Sequence, residues 1–152
     1  MPGSTSLTGR DTIQVDNRVL NDLADGDSVM LSFPNDIAAV KTSKNGNTIY
    51  ALNNTGMQVE VTIRVLTGSA DDKYLNSRMA EMKLDFSKYV LLTGVFAKRV
   101  GDGAGNLTSV IYQCAGGVFK RQPESKTNAE GDTTQSVVIY TIAYGNGDRS
   151  IQ

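Results

Sequence analysis

MQVEVTIRVL, residues 57–66, is the stretch of this chain with the most regular alternation of apolar and polar side chains. Its apolar positions are Val59, Val61, Ile63 and Val65, and its polar positions are Gln58, Glu60, Thr62 and Arg64. Successive side chains of a β-strand point to opposite faces. The pattern therefore predicts a strand with one face in a core and the other face toward water or a polar partner.

Strand signals continue on both sides of this stretch. Further strands are predicted at residues 11–15, 28–33, 37–42, 48–52, 89–100 and 107–120. Asn45-Gly46 predicts a two-residue hairpin turn between two of them, because both residues tolerate positive φ. GDGAGN (101–106) predicts a second hairpin loop, and Gly116-Gly117 predicts a bulge or a close backbone approach.

The last predicted strand, SVVIYTIAYG (136–145), is apolar on both faces, which favours a strand that is covered on both sides. Only residues 70–84 have helical spacing, with Leu75, Met79, Met82 and Phe86 forming an apolar stripe. Ser69 is the predicted N-cap of this helix, and Asp71 and Asp72 complement its dipole. The expected fold is mainly β, a sandwich or barrel of two packed antiparallel sheets with one flanking α-helix.

The composition of the chain narrows the classes of function that are compatible with it. The 152 residues favour a single domain, expected to span 1–152 with a flexible N-terminal arm (1–10) and a polar C-terminal tail (145–152). The 15 basic and 16 acidic residues give a net charge of −1, which disfavours tight binding to nucleic-acid phosphates. No apolar run has the length of a membrane span or of a signal core, so a cytoplasmic origin is expected.

Catalytic and metal-binding signals are weak. The chain contains no histidine, the commonest general base and metal ligand, so catalytic, metal and cofactor residues are all predicted to be none. The glycines of GDGAGN do not fit a dinucleotide fingerprint, because Asn106 stands at the last glycine position. The lone Cys114 lies in an apolar run and is predicted to be a small buried side chain.

Long strands leave edges that a soluble protein must protect, and pairing with further copies is one way to protect them. The polar segment KRQPESKTNAEGD (120–132) lies between two apolar runs, and a loop of this length inside a compact domain is usually either functional or disordered. These features favour a self-assembling structural protein over an enzyme. An enzyme that uses carboxylates or tyrosine, or a small-ligand module, stays open as an alternative.

The chain resembles the tail tube (inner tube) proteins of contractile-tailed bacteriophages. Three stretches carry the resemblance: DTIQVDNRVLNDLADGDSV (11–29), KNGNTIYALNNTGMQVEVTIRVLTGSADDKYLN (44–76) and YQCAGGVFKRQPESKTNAEGDTTQSVVIYTIAYG (112–145). The resemblance implies a structural virion protein without enzymatic activity. It also implies hexameric rings that join sheets edge to edge around a channel and stack into the conduit for DNA ejection.

The family also implies partners. They are further copies of the chain, the tail sheath protein, the tape-measure protein, and the baseplate and tail terminator proteins, with DNA passing without specific binding. The implied location is the virion tail, after assembly in the cytoplasm of the bacterial host. A pyocin-like or type VI-like tube protein, or another β-rich tail component such as a tail terminator, remains the alternative.

Two sets of residues are predicted to serve the assembly. The subunit-interface set is Ser43, Lys44, Asn45, Gly46, Asn47, Pro123, Glu124, Ser125, Lys126, Thr127, Asn128, Ala129, Glu130, Gly131 and Asp132. The lumen-facing set is Gln58, Glu60, Thr62 and Arg64, where Arg64 argues against a purely acidic lining. A solvated loop at 123–132 and an inert turn at 43–47 are the alternatives to an interface role.

Overall fold

The computed structural model describes residues 5–7, 11–24, 28–126 and 136–152, and within these ranges the chain is mainly β with one α-helix. The strands are β1 (Ser6–Leu7), β2 (Thr12–Val15), β3 (Arg18–Val19), β4 (Val29–Ser32), β5 (Ala38–Thr42), β6 (Thr48–Leu52), β7 (Val59–Leu66), β8 (Leu92–Gly101), β9 (Leu107–Phe119), β10 (Glu124–Lys126) and β11 (Val137–Ile151). The helix α1 spans Ala70–Leu84, and two 3₁₀ turns span Asn54–Met57 and Phe86–Lys88.

Nine of the described strands form one antiparallel sheet in the order β3-β2-β8-β9-β11-β7-β4, with β1 paired to β8 and β10 paired to β11. The predicted strand at 57–66 lies inside this sheet as β7, where Ile63 pairs with Tyr140 on one side and Val29 on the other. Strands β5 and β6 form a separate two-stranded sheet. The predicted mainly β, antiparallel fold with one helix is confirmed.

The large sheet curls until its two ends approach each other. The segment that follows β3 runs to the far end of the sheet, where Leu23 forms an isolated bridge with Val65 of β7. One cleft is lined by Ile13 of β2 and by Val29 of β4, two strands that lie near opposite ends of the strand order. The two packed layers are therefore two halves of one continuous sheet.

A crease across the long strands allows this curvature. Gly116 has a positive φ of 70°, and the ladder between β8 and β9 shifts register between Leu92 and Gly94. A Cβ on Gly117 would lie 2.5 Å from the ring of the fully buried Tyr144. The predicted bulge or close approach at Gly116-Gly117 is confirmed, because the tyrosine ring occupies the space that a side chain would need.

The core lies between the two halves of the sheet. The apolar side chains of β7 are fully buried, and its polar side chains are half-buried, as the alternation predicts. Tyr140, Ile142 and Tyr144 of β11 face the same core, as does Cys114 of β9. Leu75 and Met79 of α1 complete the core, and full burial of such a side chain contributes about 1.5–3 kcal/mol.

The helix begins and ends where the sequence predicts. The Ser69 side chain accepts a hydrogen bond from the backbone N–H of Asp72 at 3.2 Å, which satisfies one free donor of the first turn. Phe86, predicted as the last member of the apolar stripe, lies beyond the helix and is 62% exposed. That part of the prediction is wrong, because the helix ends at Leu84 before the stripe completes another turn.

Asp71 has a second role that its capping position does not reveal. Its carboxylate is fully buried and accepts hydrogen bonds from Arg18 Nε at 2.9 Å and from the backbone N–H groups of Asn21 and Asp22 at 2.6 and 2.7 Å. These bonds attach the segment after β3 to the first turn of α1. A buried carboxylate is stable when it is paired and fully hydrogen-bonded in this way.

Two further sequence predictions need correction. The polar segment 145–152, expected to be a tail, instead continues β11 as far as Ile151, because Asn146–Ile151 pair with β9. In the β5–β6 turn only Gly46 has positive φ, and its N–H donates to Ser43 O at 3.1 Å. The loop is therefore longer than two residues, as expected for a type I turn followed by a glycine in the left-handed region.

Candidate subunit interface

Candidate functional surfaces in the described ranges are those on which apolar side chains or strand edges meet solvent. No group of three or more histidine, cysteine or acidic side chains is placed to hold a metal ion in these ranges. No helix there has the length and apolar character needed to cross a membrane.

The first of these surfaces is the β5–β6 hairpin, most of whose residues are exposed. Val40 pairs with Tyr50 and Ala38 pairs with Leu52, so their side chains share one face. Val40, Tyr50 and Leu52 are 62%, 76% and 69% exposed. We call these four residues the hairpin strip. A two-stranded hairpin is marginally stable alone in water, so an apolar strip that no described residue covers makes this hairpin a candidate contact surface.

The predicted interface residues Ser43, Lys44, Asn45, Gly46 and Asn47 form the exposed tip of this hairpin. The backbone N–H of Ser43 donates to Asn47 O at 2.8 Å and closes the tip. The sequence predicts an interface role for the tip but not for the hairpin strip. The apolar residues of the strip resemble core residues in sequence, and only the absence of a covering element among the described residues reveals the difference.

The root of the hairpin is held rigidly to the body of the protein. The backbone N–H of Asn53 donates to Ile37 O at 2.7 Å. A Cβ on Gly56 would lie 2.6 Å from the Cα of Ile37, so the two backbone segments touch. Beside this root is a cleft of about 440 Å³ whose lining includes Phe33, Met57 and Asp148.

The predicted loop at 120–132 is partly described. Pro123 is half-buried, and Glu124, Ser125 and Lys126 form β10, which pairs with the first residues of β11. Thr127, Asn128, Ala129, Glu130, Gly131 and Asp132 lie outside the described residues. The beginning of the predicted loop is thus an edge strand, which the polar sequence did not indicate.

The predicted lumen-facing residues share the face of β7 opposite to the core. Gln58, Glu60, Thr62 and Arg64 are all half-buried. Glu60 forms an ion pair with Lys120, and Gln58 Oε1 accepts a hydrogen bond from Asn35 Nδ2 at 3.0 Å. The charge of Glu60 is therefore compensated by Lys120, the residue directly after β9.

An exposed apolar corner follows the helix. Leu84, Phe86 and Val90 are 87%, 62% and 73% exposed. The corner lies beside a polar cluster in which Asp16 Oδ2 accepts from Arg78 Nε at 3.2 Å and from Tyr74 OH at 3.4 Å. Burial raises the pKa of Tyr74, and the charge of Asp16 adds to the rise, so the phenol stays protonated as the donor. The sequence analysis did not identify this corner.

Comparison with known proteins identifies the fold and gives no sequence-level relative. A scan against family models and a sequence search of curated proteins find no match. Among solved structures, the chain is similar to a chain of the sheath–tube complex of the extracellular contractile injection system PVC in its extended state. The TM-score is 0.59 at 11% identity, covering 94% of this chain and 88% of that chain.

Two further structures share the fold. One is the tube-terminating cap of the anti-feeding prophage, with a TM-score of 0.60 at 9% identity over 97% of this chain and 90% of that chain. The other is the PVC sheath/tube terminator in its extended state, with a TM-score of 0.58 at 11% identity over 94% of this chain and 93% of that chain. The chain thus has the fold found in tube and terminator assemblies of contractile particles, and the suspected resemblance to tube proteins is consistent with it.

Proposed function

We propose that this chain is a structural subunit that forms hexameric rings, and that the rings stack into the inner tail tube of a contractile-tailed phage. The observation that carries the proposal is the shared fold, which extends over almost the whole chain and includes chains from a sheath–tube complex. The exposed hairpin strip supports it independently, because it is an apolar surface that none of the described residues covers. No catalytic role is proposed.

The tube would serve as the conduit for DNA ejection. Its partners would be the sheath, the tape-measure protein, and the baseplate and terminator proteins, in a tail assembled in the host cytoplasm. The ion pair with Glu60 compensates the charge of Lys120 on the proposed lumen face, which supports passage without tight binding, since DNA binds strongly to surplus positive charge.

A second candidate is the terminator that caps such a tube. The similarity to the anti-feeding prophage cap specifically favours it. The two candidates differ in one property: a tube protein adds to both of its own faces, whereas a cap closes the end of a tube made by another chain.

Negative-stain electron microscopy of the purified protein at low and high concentration tests the proposal. Stacked rings or hollow tubes with sixfold symmetry, growing longer as the concentration rises, are expected of a tube subunit. Single rings that never stack would favour the terminator. A monomer at every concentration, with and without a preformed baseplate to start growth, would overturn the proposed function.

The proposal gives the tip at 43–47 and the loop at 123–132 contacts with adjacent subunits. Deleting residues 127–131 tests the loop while leaving β10 paired to β11. We expect a monomer with unchanged circular dichroism that no longer forms tubes. Normal tubes from this deletion would assign the loop to solvent.

A further inference from the structure

The cleft at the root of the β5–β6 hairpin is lined by both apolar and acidic residues. Phe33, Ile37 and Met57 are its apolar residues, and Asp36 and Asp148 are its acidic residues. Phe33 and Ile37 are 40% and 54% exposed, so the cleft is open to a partner. We call it the root cleft.

The root cleft has two carboxylates and one guanidinium in its lining. Neither Asp36 nor Asp148 forms an ion pair with a residue that the structure describes. Arg149 also lines the cleft, but its Nε donates to Tyr112 OH at 3.0 Å and its guanidinium lies 5.8 Å from the Tyr112 ring centroid. The contact with a phenol leaves the guanidinium charge in place, so two carboxylates and one guanidinium give the root cleft a formal net charge of −1 beside its apolar residues.

One strand edge beside this cleft has no partner strand among the described residues. β7 pairs with β11 only as far as Tyr144, while Asn146–Ile151 pair with β9 on their other edge. No strand among the described residues pairs with the edge of residues 146–151 that faces away from β9, and Gly147, Asp148 and Arg149 line the root cleft. Free backbone N–H and C=O groups of an edge strand are a template for an added strand.

The hairpin has the complementary properties. Residues 38–52 contain Lys41 and Lys44 and no acidic residue. Val40 and Tyr50 of the hairpin strip are exposed, and five extended residues carry the tip roughly 17 Å from the root. The hairpin can therefore offer a strand edge, apolar side chains and positive charge to one acceptor at the same time.

We propose that the hairpin of one copy of this chain docks in the root cleft of the next copy, beside the free edge of β11. The inference rests on the proposed function and names the acceptor for its hairpin. Donor and acceptor are different surfaces of the same chain, so the contact is head-to-tail and continues from copy to copy instead of closing a twofold dimer.

Charge reversal tests the docking. The cleft variant is Asp36→Lys/Asp148→Lys, and the hairpin variant is Lys41→Glu/Lys44→Glu; all four side chains are exposed, so both variants are expected to fold. Each variant alone places like charges at the contact. We expect the protein concentration needed for sedimentable tubes to rise roughly tenfold or more.

Mixing the two variants separates docking from general damage. In an equimolar mixture every contact between unlike variants joins opposite charges again, and we expect tubes at about the wild-type concentration. A control that reverses Lys73 and Lys88 changes as many charges outside both surfaces and is expected to assemble as wild type does. Wild-type assembly by either charge variant alone, or no recovery in the mixture of two folded variants, would overturn the docking.

Cross-linking gives a second reading that does not depend on charge. Cys114 is buried, so Tyr50→Cys and Asp148→Cys supply the reactive thiols. In assembled protein, a short bis-maleimide should join the two single variants to each other, and neither variant to itself. If wild-type protein forms tubes but this cross-link is absent, the docking is wrong and the proposed function stands. If wild-type protein forms no assembly, both fail.

Discussion

At the scale of single residues, Gly117 provides a direct test of how the large sheet bends. The Tyr144 ring lies where the Cβ of an alanine would be placed, at 2.5 Å from its nearest carbon. Gly117→Ala should therefore lower the free energy of unfolding by about 1–3 kcal/mol, the range for overpacking in a core. Gly145→Ala is the control, because its Cβ would meet nothing nearer than 3.8 Å. Chemical denaturation of the monomer measures the free energy of unfolding of both variants. Equal values would contradict the close approach of the Tyr144 ring to Gly117.

Cys114 gives a residue-scale prediction about pH. Burial raises the pKa of the thiol to about 11. In the unfolded chain, the pKa of a cysteine thiol is about 8.5. Below that pH the buried neutral thiol contributes its full share to the free energy of unfolding, and this contribution is lost as the pH rises toward the folded pKa. The free energy of unfolding should fall between about pH 9 and pH 11, and by less in Cys114→Ala.

Thiol labelling checks the same residue at fixed pH. At about pH 8 the folded protein should react with iodoacetamide more than roughly 100-fold more slowly than the unfolded chain, because the thiolate is the reactive species. Equal rates would mean that the thiol is accessible in the folded state. They would also remove the basis for using engineered cysteines elsewhere in the chain.

At the scale of elements, the hairpin strip is predicted to serve assembly and not folding. Val40→Asn/Tyr50→Asn removes apolar side chains that already face solvent, so the free energy of unfolding should change by about 0.5 kcal/mol or less. Tube formation should be lost, because the contact between copies loses its apolar centre. Sedimentation after mixing to high concentration measures this.

The matched control for the hairpin strip is Leu107→Asn. Leu107 is 54% exposed at the start of β9, outside the hairpin, so its substitution removes similar apolar surface. Tubes should form normally from this control. An unfolded hairpin variant would assign the strip to the fold, and tubes from it at the wild-type concentration would show that assembly does not need the strip.

Elements whose patterns are set locally could be predicted from the sequence. β7 follows from its alternation, and α1 follows from its spacing and from Ser69, because a cap acts on the turn beside it. Features that depend on distant partners could not be predicted. The polar residues after Tyr144 form a strand because β9 is beside them, and the carboxylate of Asp71 is buried because residues 18–22 fold over it.

The residues of the candidate interface also fall into those that local sequence predicts and those that it does not. Asn45-Gly46 marks the hairpin tip through local turn chemistry, so the tip was found. The hairpin strip and the corner near Phe86 were missed, because apolar side chains in a sequence do not reveal whether anything covers them. The root cleft joins Phe33 to Asp148, two positions more than a hundred residues apart. A single sequence carries no signal for such a pairing.

At the scale of the whole molecule, the large sheet decides which surfaces can meet other copies. Its two ends curl toward each other and leave β4 as an outer strand that pairs only with β7 among the described strands. β11 extends beyond Val59, the first residue of β7, and continues beside the root cleft. The proposed assembly needs two kinds of contact, lateral contacts within a ring and axial contacts between rings. Two separate strand edges on one subunit suit this need, because one edge can form each kind of contact independently of the other.

The lumen assignment is the prediction that depends on the complete assembly. Thr62 lies at the centre of the face opposite the core, paired with Met30 on one side and Thr141 on the other. In tubes of Thr62→Cys labelled with a small gold cluster through a maleimide, the added density should lie inside the channel, because this face is proposed to line it. Leu107→Cys, on the loop side of β9, is the control and should place the label elsewhere. Label density for Thr62→Cys on the outer wall or between rings would contradict the lumen assignment. The face of β7 that carries Glu60, Thr62 and Arg64, together with Gln58, would then be a contact surface instead.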